Sequence, residues 1–489
     1  MSAPIIESPD AVLTTLDKEG KRVWMYPTPS PGRFWRWRMV VGWLLIAFFV
    51  ALPWIQIQGK PAVFLNLARR EFTFFGLTLH PTDSILLMFS LLFVLLSVYF
   101  FTALFGRVWC GWGCPQTVYL EFVYRPLERL IEGNENRRRR RDQEGWGVEK
   151  ALRKSVKFIV FLVVSAFLAH TFVAYFASWD YLLGAMVRPP TEAPGYFFFM
   201  AFVTALVLFD FGFFREQMCT IACPYARFQS VLMDADSMIV SYDPNRGETR
   251  GTSRLRKQAE KKGPISLNGE KVHFEDFGDC IDCGACVRTC PTGIDIRNGL
   301  QMECIACTQC IDACDEIMEA IGKPKGLIRY TSEHSLEGKK TRILRPRLFL
   351  YMAILTALAI LFMSALTSRS DLEIDISRVA GTTYSTTNTG EIANRLRFRL
   401  RNRTATDFPL EIRLVEPAEA QLRLVESEVP FLQAGALHRI EAWVTMAPEA
   451  IPPGGLEATF EFYADDTLVE KMTFHLLGPI AATNPSGVE

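Results

Sequence analysis

No cysteine in this 489-residue chain is left over: eight of the twelve fall between residues 280 and 314, and the other four form the pairs Cys110/Cys114 and Cys219/Cys223. That usage excludes a disulfide framework, and reduced thiols suit the cytoplasmic side of a membrane. Net charge is also missing, since 53 Lys and Arg balance 53 Asp and Glu, so the total points to no nucleic acid and no acidic partner. Histidine is scarce, with six in all. Within the apolar runs His170 has no second histidine to share a haem, and hydrogen bonding to a neighbouring helix is its expected role. The N-terminus shows no signal peptide; residues 1–35 read as a polar, proline-rich cytoplasmic tail, expected to be poorly ordered.

What the chain has in excess is apolar surface. Hydrophobic residues make up 49% of it and phenylalanine alone counts 37, more than a soluble protein of this length carries. Five stretches, 38–56, 84–105, 156–178, 196–214 and 347–366, are long enough to span a bilayer. Positive charge gathers before the first, between the second and third (including Arg137 to Arg141) and after the fourth, whereas 179–195 carries only Arg188. By the positive-inside rule the N-terminus and the cysteine-rich segment lie inside, and the tail after residue 366 lies outside. The five-arginine run is explained by topology and anionic lipid; it predicts no nucleic-acid site.

The eight clustered cysteines read Cys280-x2-Cys283-x2-Cys286-x3-Cys290 and Cys304-x2-Cys307-x2-Cys310-x3-Cys314. Thiolates at this spacing hold cubane iron–sulfur clusters, and two tandem runs hold two. In the bacterial two-cluster pattern the fourth cysteine ligates the other cluster. This pairs Cys280, Cys283, Cys286 and Cys314 on one, and Cys304, Cys307, Cys310 and Cys290 on the other. The competing reading is all-cysteine zinc, which rarely uses three evenly spaced cysteines plus a fourth. The second run departs from the ferredoxin ending, because Asp315 and not proline follows Cys314.

The remaining four cysteines form a repeated device: Trp109-Cys110-Gly-Trp-Gly-Cys114-Pro115 follows one pair of spans, and Met218-Cys219-Thr-Ile-Ala-Cys223-Pro224 the next. This predicts an internal two-span repeat, with both pairs at the inner membrane face. Proline after the second cysteine starts a helix there, whose N-terminus favours thiolate. Four converging soft thiolates would select Cu(I), zinc or iron–sulfur; redox-active dithiols and inert packing are the alternatives. Met218 is read as core packing and Asp210 as a capping or solvated group.

Residues 241–279 read as a polar, basic linker leading to the clusters. After residue 371 alternation takes over, as in Leu396-Arg-Phe-Arg-Leu400 and Ala458-Thr-Phe-Glu-Phe462. About seven such strands predict an immunoglobulin-like β-sandwich without a disulfide. The fold class is thus a multi-domain membrane protein. It comprises a tail (1–35), a four-span helical domain with both C-x3-C-P pairs (36–240), a linker and two-cluster ferredoxin domain (241–345), a fifth span (346–367) and a periplasmic β domain (368–489).

The segments Ala103 to Thr117, Gln217 to Gln229 and Gly278 to Asp315 resemble the CcoG family, also called FixG or RdxA, the cytochrome c oxidase accessory proteins. The resemblance covers nearly the whole chain. It implies a bacterial inner-membrane cupric reductase that makes Cu(I) for assembly of the cbb3-type oxidase, with two [4Fe-4S] clusters as cofactors and copper as substrate. It implies copper chemistry at Cys110, Cys114, Cys219 and Cys223. Implied partners are the lipid bilayer, a cytoplasmic electron donor, and a copper chaperone or transporter with oxidase assembly factors; a homodimer stays open. Two other functions fit the residues: a quinol-linked relay like the NapH-like proteins that share C-x3-C-P, and a non-enzymatic assembly scaffold.

Overall fold

Hydrophobic runs bounded by helix stops dictate the first architecture in the chain, and a computed structural model places five helices long and apolar enough to cross a membrane among its described residues. Those residues are 15–16, 19, 21–267, 270–381, 383–404, 406–425, 431–464 and 466–479. The chain divides into two compact units, Met1–Phe362 and Met363–Glu489.

The apolar helices run Arg33–Ala51, Ser84–Phe105, Val148–Ala177, Pro194–Phe209 and Pro346–Thr367, the last crossing the boundary at Phe362. The first starts ahead of the expected 38–56 because the arginines at its start do not bound it. Gly32 in extended conformation opens the helix, and Arg38 is buried inside it. The third starts well before the expected 156, since a charged stretch from Glu149 to Lys157 continues the helix below the apolar run. Between the first two helices, where sequence periodicity is weak, Val63–Asn66, Glu71–Phe74 and Leu77–Leu79 form a three-stranded antiparallel meander.

Below the apolar helices a network of ion pairs is buried. Glu128 accepts from Arg215 (3.2 and 2.9 Å), Arg138 and Lys157 (3.3 Å). Arg138 belongs to the five-arginine run, so at least one of those cations serves packing and not the membrane surface. A carboxylate surrounded by cations offsets the desolvation that each would suffer alone.

The expected linker after residue 240 is folded instead. Ile239–Tyr242 pairs antiparallel with Ile328–Thr331, Ile239 opposite Thr331 and Tyr242 opposite Ile328. All four residues of the first strand are buried. The two strands close a core with Ile294, Ile296, Ile311, Met318 and Leu327 around the cysteine-rich segment. Polar composition hid this because only four residues carry the strand.

The N-terminal tail also differs from expectation. Residues 1–14, 17–18 and 20 lie outside the described residues, but the segment from 21 is bound: Arg22 pairs with Glu216 (3.0 Å) and Tyr26 donates to Asp142 (2.6 Å), and beyond them the chain meets the ferredoxin-like segment. Thr28 N–H donates to Arg288 O (3.0 Å) and Thr289 Oγ1 donates to Thr28 O (2.8 Å). The carboxylate of Asp312 then accepts from the N–H groups of Phe34 (3.1 Å) and Trp35 (2.7 Å), capping the first apolar helix.

The second unit is a β-sandwich of two antiparallel sheets. One has the order Leu372–Arg378, Ile392–Asn402, Leu437–Met446, Gln421–Leu424, with Ser385–Thr386 against the second strand; the other runs Phe431–Leu432, Phe408–Glu416, Leu456–Ala464, Thr467–Leu476. Among the described residues these are nine strands where alternation suggested about seven, the additions being two-residue strands too short to leave a pattern. Phe398 meets Phe460 and Phe462 edge-on at 5.4 and 5.9 Å, and all three are fully buried. This core stands without cysteine.

Candidate redox centre

The two cysteine runs repeat one backbone pattern. In Cys280 to Cys286, Asp282 and Gly284 take positive φ (50° and 67°); in Cys304 to Cys310, Ala306 and Thr308 do so at the matching positions (52° and 61°). Three of the four are not glycine, so the conformation costs on the order of 1–2 kcal/mol at each. Alternation of this kind turns successive N–H groups into one concavity, the nest that receives anions and iron–sulfur clusters. Helices Ala285–Thr289 and Gln309–Ala320 follow the loops and carry the next cysteines.

Two adjoining cavities result. One is lined by Cys280, Cys283, Cys286 and Cys314 with Tyr242 and Met318. The other is lined by Cys290, Cys304, Cys307 and Cys310 with Val240 and Ile305. The fourth cysteine of each run therefore lies in the other run's cavity, and Cys286 touches both. Cys283 is the exposed member of the eight. Three evenly spaced cysteines plus a fourth from the other run in each cavity are an unusual donor set for mononuclear zinc. A multi-iron core held at its corners fits instead. Burial, reinforced by neighbouring thiols, pushes Cys286 and Cys304 up to about 11 and Cys307 and Cys314 up to about 12. Such thiols stay protonated until a cationic core displaces the protons.

The C-x3-C-P pairs share a second local geometry. Gly106 and Arg215, each four residues before the first cysteine, have φ/ψ of 58°/−131° and 52°/−120°. The second cysteine then closes a wide turn by an i→i−5 bond, Cys114 N to Trp109 O (2.9 Å) and Cys223 N to Met218 O (2.8 Å). Both Cys114 and Cys223 are extended, and proline follows each as the first helical residue of Pro115–Tyr119 and Pro224–Leu232. The helix N-terminus does assist ionisation of Cys114 through the N–H groups of Thr117 and Gln116, but burial outweighs it and the thiol is raised. Burial likewise pushes Cys110 up to about 11 against the pull of Arg107, and raises Cys219 well above the ordinary thiol range. The thiolate expected at Cys114 is therefore a thiol, because its surroundings are drier than the sequence suggested.

The four cysteines are neighbours: Cys114 and Cys223 disfavour ionisation of Cys110, Cys223 that of Cys114, and Cys114, Cys110 and Cys223 that of Cys219. Cys110 is buried against Ile305 and Cys307, with Cys219 and Tyr225 packed on the same patch. The membrane pair and the second cavity thus share one wall. Gly111 makes that possible: a Cβ there would lie 2.7 Å from the carbonyl oxygens of both Ile305 and Ala306. Trp112 Nε1 donates to Tyr330 Oη (3.0 Å), which donates to Ala306 O (3.3 Å).

Other side chains around the site were not singled out by sequence reasoning. The Cys110 thiol donates to Gln229 Oε1 (3.0 Å). Gln116 Nε2 donates to Asp210 Oδ1 (3.1 Å) and Arg215 O (3.0 Å), tying one C-x3-C-P segment to the other; Asp210 is a half-buried acceptor and not a solvated group. Arg38 Nε donates to Gly111 O (2.9 Å), and Arg107 donates to Met302 O. Gln116, Gln229, Gly111 and Arg107 all stand within or beside the two motifs, which was the available signal; Arg38 had none. Met218 is partly exposed, against the packing expectation. His170 bonds Ala166 O (2.7 Å) and Tyr196 Oη (3.0 Å) on the adjacent apolar helix, as expected.

Comparison with known proteins gives three matching family models. Residues 214–333 match a 4Fe-4S dicluster domain, 86–134 a 4Fe-4S binding domain, and 362–479 the Ig-like fold at the C-terminal of FixG. Protein RdxA of Cereibacter sphaeroides is 34% identical over 416 residues, 82% of this chain and 83% of that protein. Protein RdxB of the same organism is 34% identical over 434 residues, 85% and 87% of the two chains. The nitrogen fixation protein FixG of Rhizobium meliloti is 34% identical over 317 residues, 64% and 58%. Among solved structures, a FixG-related protein from Vibrio parahaemolyticus covers 22% of this chain at 9% identity with a TM-score of 0.18.

Proposed function

The chain belongs to the FixG/RdxA family of iron–sulfur redox proteins, and from that premise we propose that it is a membrane-bound cupric reductase. Cys280, Cys283, Cys286 and Cys314 would hold one [4Fe-4S] cluster, and Cys304, Cys307, Cys310 and Cys290 the other. Bound there, the clusters supply storage and passage of single electrons. Cu(II) is the substrate and needs one electron, so the reduction requires no proton. Cys110, Cys114, Cys219 and Cys223 receive the ion and keep the product, because soft thiols prefer Cu(I). Their protons leave as copper binds, which a buried site makes strongly pH-dependent.

The observation that carries this reading is the shared wall: Cys110 lies against Ile305 and Cys307, so donor and acceptor sites are neighbours. The two C-x3-C-P segments have matching backbones, which supports descent from one two-span unit. The charge bias supports a bacterial inner-membrane protein with its tail and clusters on the cytoplasmic side, where an electron donor would reach them. The β domain lies in the periplasm, within reach of assembly factors of the cbb3-type oxidase. A copper chaperone or transporter would collect Cu(I).

The test is direct. Dithionite-reduced protein is mixed with Cu(II), and recovery of cluster absorbance is followed together with a Cu(I) chelator. The native protein reoxidises with one Cu(I) per electron, and Cys110→Ser with Cys219→Ser slows it strongly. An unchanged rate in that double variant defeats the copper site.

A second reading has its own support, since the 4Fe-4S binding domain matched at 86–134 contains Cys110 and Cys114. On it the four membrane-face thiols hold a further iron–sulfur group. Iron analysis separates the two: about eight irons per chain favour copper at this site, and about twelve favour the alternative.

A further inference from the structure

Two buried arginines flank the cavity of Cys290, Cys304, Cys307 and Cys310. Arg38 is 1% exposed; its Nε is spent on Gly111 O, and Nη1 and Nη2 have no hydrogen-bond acceptor. Its guanidinium acts on Cys307. Arg107 is 4% exposed, donates to Met302 O two residues before Cys304, and acts on both Cys304 and Cys110. Among the described residues, neither is within ion-pair distance of an Asp or Glu. A fixed cation in a dry wall is poorly screened, and burying one without a counter-ion is costly unless something anionic arrives beside it. Two carboxylates act on that side: the half-exposed Glu303 beside Cys304, and the buried Glu121, which Arg38 reaches but which is already engaged by Arg125 and Arg129.

The outer cavity is different. The half-buried Arg297 lines it and is neutralised by Asp295 (2.8 and 2.6 Å) and Asp282. Asp315 adds negative charge beside Cys314. Arg256 donates to Cys280 O (2.8 Å) but is half-exposed, so water screens it. Cys283 is open to solvent on this side.

We infer that Arg38 and Arg107 raise the reduction potential of the cluster held by Cys290, Cys304, Cys307 and Cys310 above that of its neighbour, so that an electron entering at the exposed Cys283 side comes to rest against the C-x3-C-P cysteines. A thiolate-bound cluster gains one negative charge on reduction, and net charge, hydrogen bonding and solvent exposure set its potential. Water at Cys283 pulls the other way. The two guanidinium groups prevail because the dry wall that withholds water from the inner site also leaves their charge unscreened. The transfer is one electron, from the outer reduced cluster to the inner oxidised one, with no proton moved. This rests on the two-cluster reading above and is independent of the identity of the final acceptor.

The test is a potentiometric titration of the full-length protein in detergent, without copper, followed by absorbance and electron paramagnetic resonance. Two one-electron steps are expected. In Arg38→Gln and in Arg107→Gln the upper step falls, the reduced-to-oxidised ratio at fixed potential dropping about tenfold, or about 59 mV; the lower step stays. Arg38→Lys and Arg107→Lys keep the charge and leave the upper step in place. The inference is overturned if both signals persist in the Gln variants with an unmoved upper step, if the lower step moves instead, or if Lys lowers the upper step as far as Gln. Where a Gln variant loses a cluster, its Lys counterpart decides: a native upper step supports the charge effect and a lowered one refutes it. A protein lacking the two signals altogether fails the two-cluster reading itself.

Discussion

Replacing Gly111 by Ala tests whether contact between the two sites sets the rate. The new Cβ would stand 2.7 Å from two carbonyl oxygens, Ile305 O and Ala306 O, whereas ordinary contact begins at 3.4 Å. The cluster-binding loop and the Val108–Trp112 helix must therefore part by about 0.7 Å. Neither oxygen belongs to a side chain that can rotate away. Ala gains roughly 1 kcal/mol of local helix propensity over Gly, and overpacking costs about 1–3 kcal/mol, so the variant stays folded. Since a 1 Å misplacement can cost on the order of a hundredfold in rate, reoxidation of the reduced protein by Cu(II) should slow by about tenfold to a hundredfold. Stopped-flow absorbance measures this, with iron content and reduction potentials as controls for intact clusters. Gly145→Ala, where a Cβ meets nothing within 4 Å, is the matched control and should behave as native. If Gly111→Ala reoxidises at the native rate with both clusters present, the shared wall is not the route.

Three other perturbations probe the supports. Burial would raise the Glu128 carboxyl, but Arg215, Lys157 and Arg138 outweigh it and hold the group well below the ordinary 4.5. Its contribution is thus complete above that value and is lost as pH falls towards the folded-state one. Glu128→Gln leaves three cations facing a neutral amide and should cost about 3–5 kcal/mol at neutral pH. That appears as a lower melting temperature whose gap from native narrows in acid, and a constant gap would contradict the assignment. Tyr196→Phe removes one bond to His170 and should cost about 0.6 kcal/mol, with a native Cu(II) rate; a large fall in rate would put the pair in the reaction path. Phe398→Ala should destabilise the β unit by about 3–5 kcal/mol in calorimetry of the full chain while leaving cluster absorbance unchanged. Loss of iron in that variant would show that the two units do not fold separately.

What the sequence revealed was whatever is encoded locally. The eight-cysteine spacing suggested crossed fourth cysteines by the two-cluster pattern, and Cys314 and Cys290 each line the cavity of the other run. Proline after Cys114 and Cys223 foretold helix starts, since its fixed φ suits that position. Burial was harder to read. Arg38 and Arg107 entered as flanking charges that orient the chain, and only tertiary packing shows them dry and beside cysteines. The same dryness reversed the expected ionisation of Cys114, where a weak helix-terminus effect met a stronger desolvation. Long-range pairing was equally hidden: Ile239–Tyr242 finds its partner at Ile328–Thr331, and nothing in its four residues announces it. Gly111 sat in plain view within a motif, yet its reason lies almost two hundred positions away.

The cap on the first apolar helix has a consequence for how the molecule is made. Phe34 and Asp312 are separated by 278 residues, so the ribosome delivers the helix long before its acceptor. The N–H groups of Phe34 and Trp35 must wait, hydrated, through insertion of three more apolar helices. The carboxylate arrives on Gln309–Ala320, the helix that also carries Cys310 and Cys314. Seating that helix fastens the early segment around Thr28, which runs across Arg288 and Thr289, the residues just ahead of Cys290. Threading into the membrane and closing of the redox compartment are therefore separate events in biogenesis, with the second sealing the first.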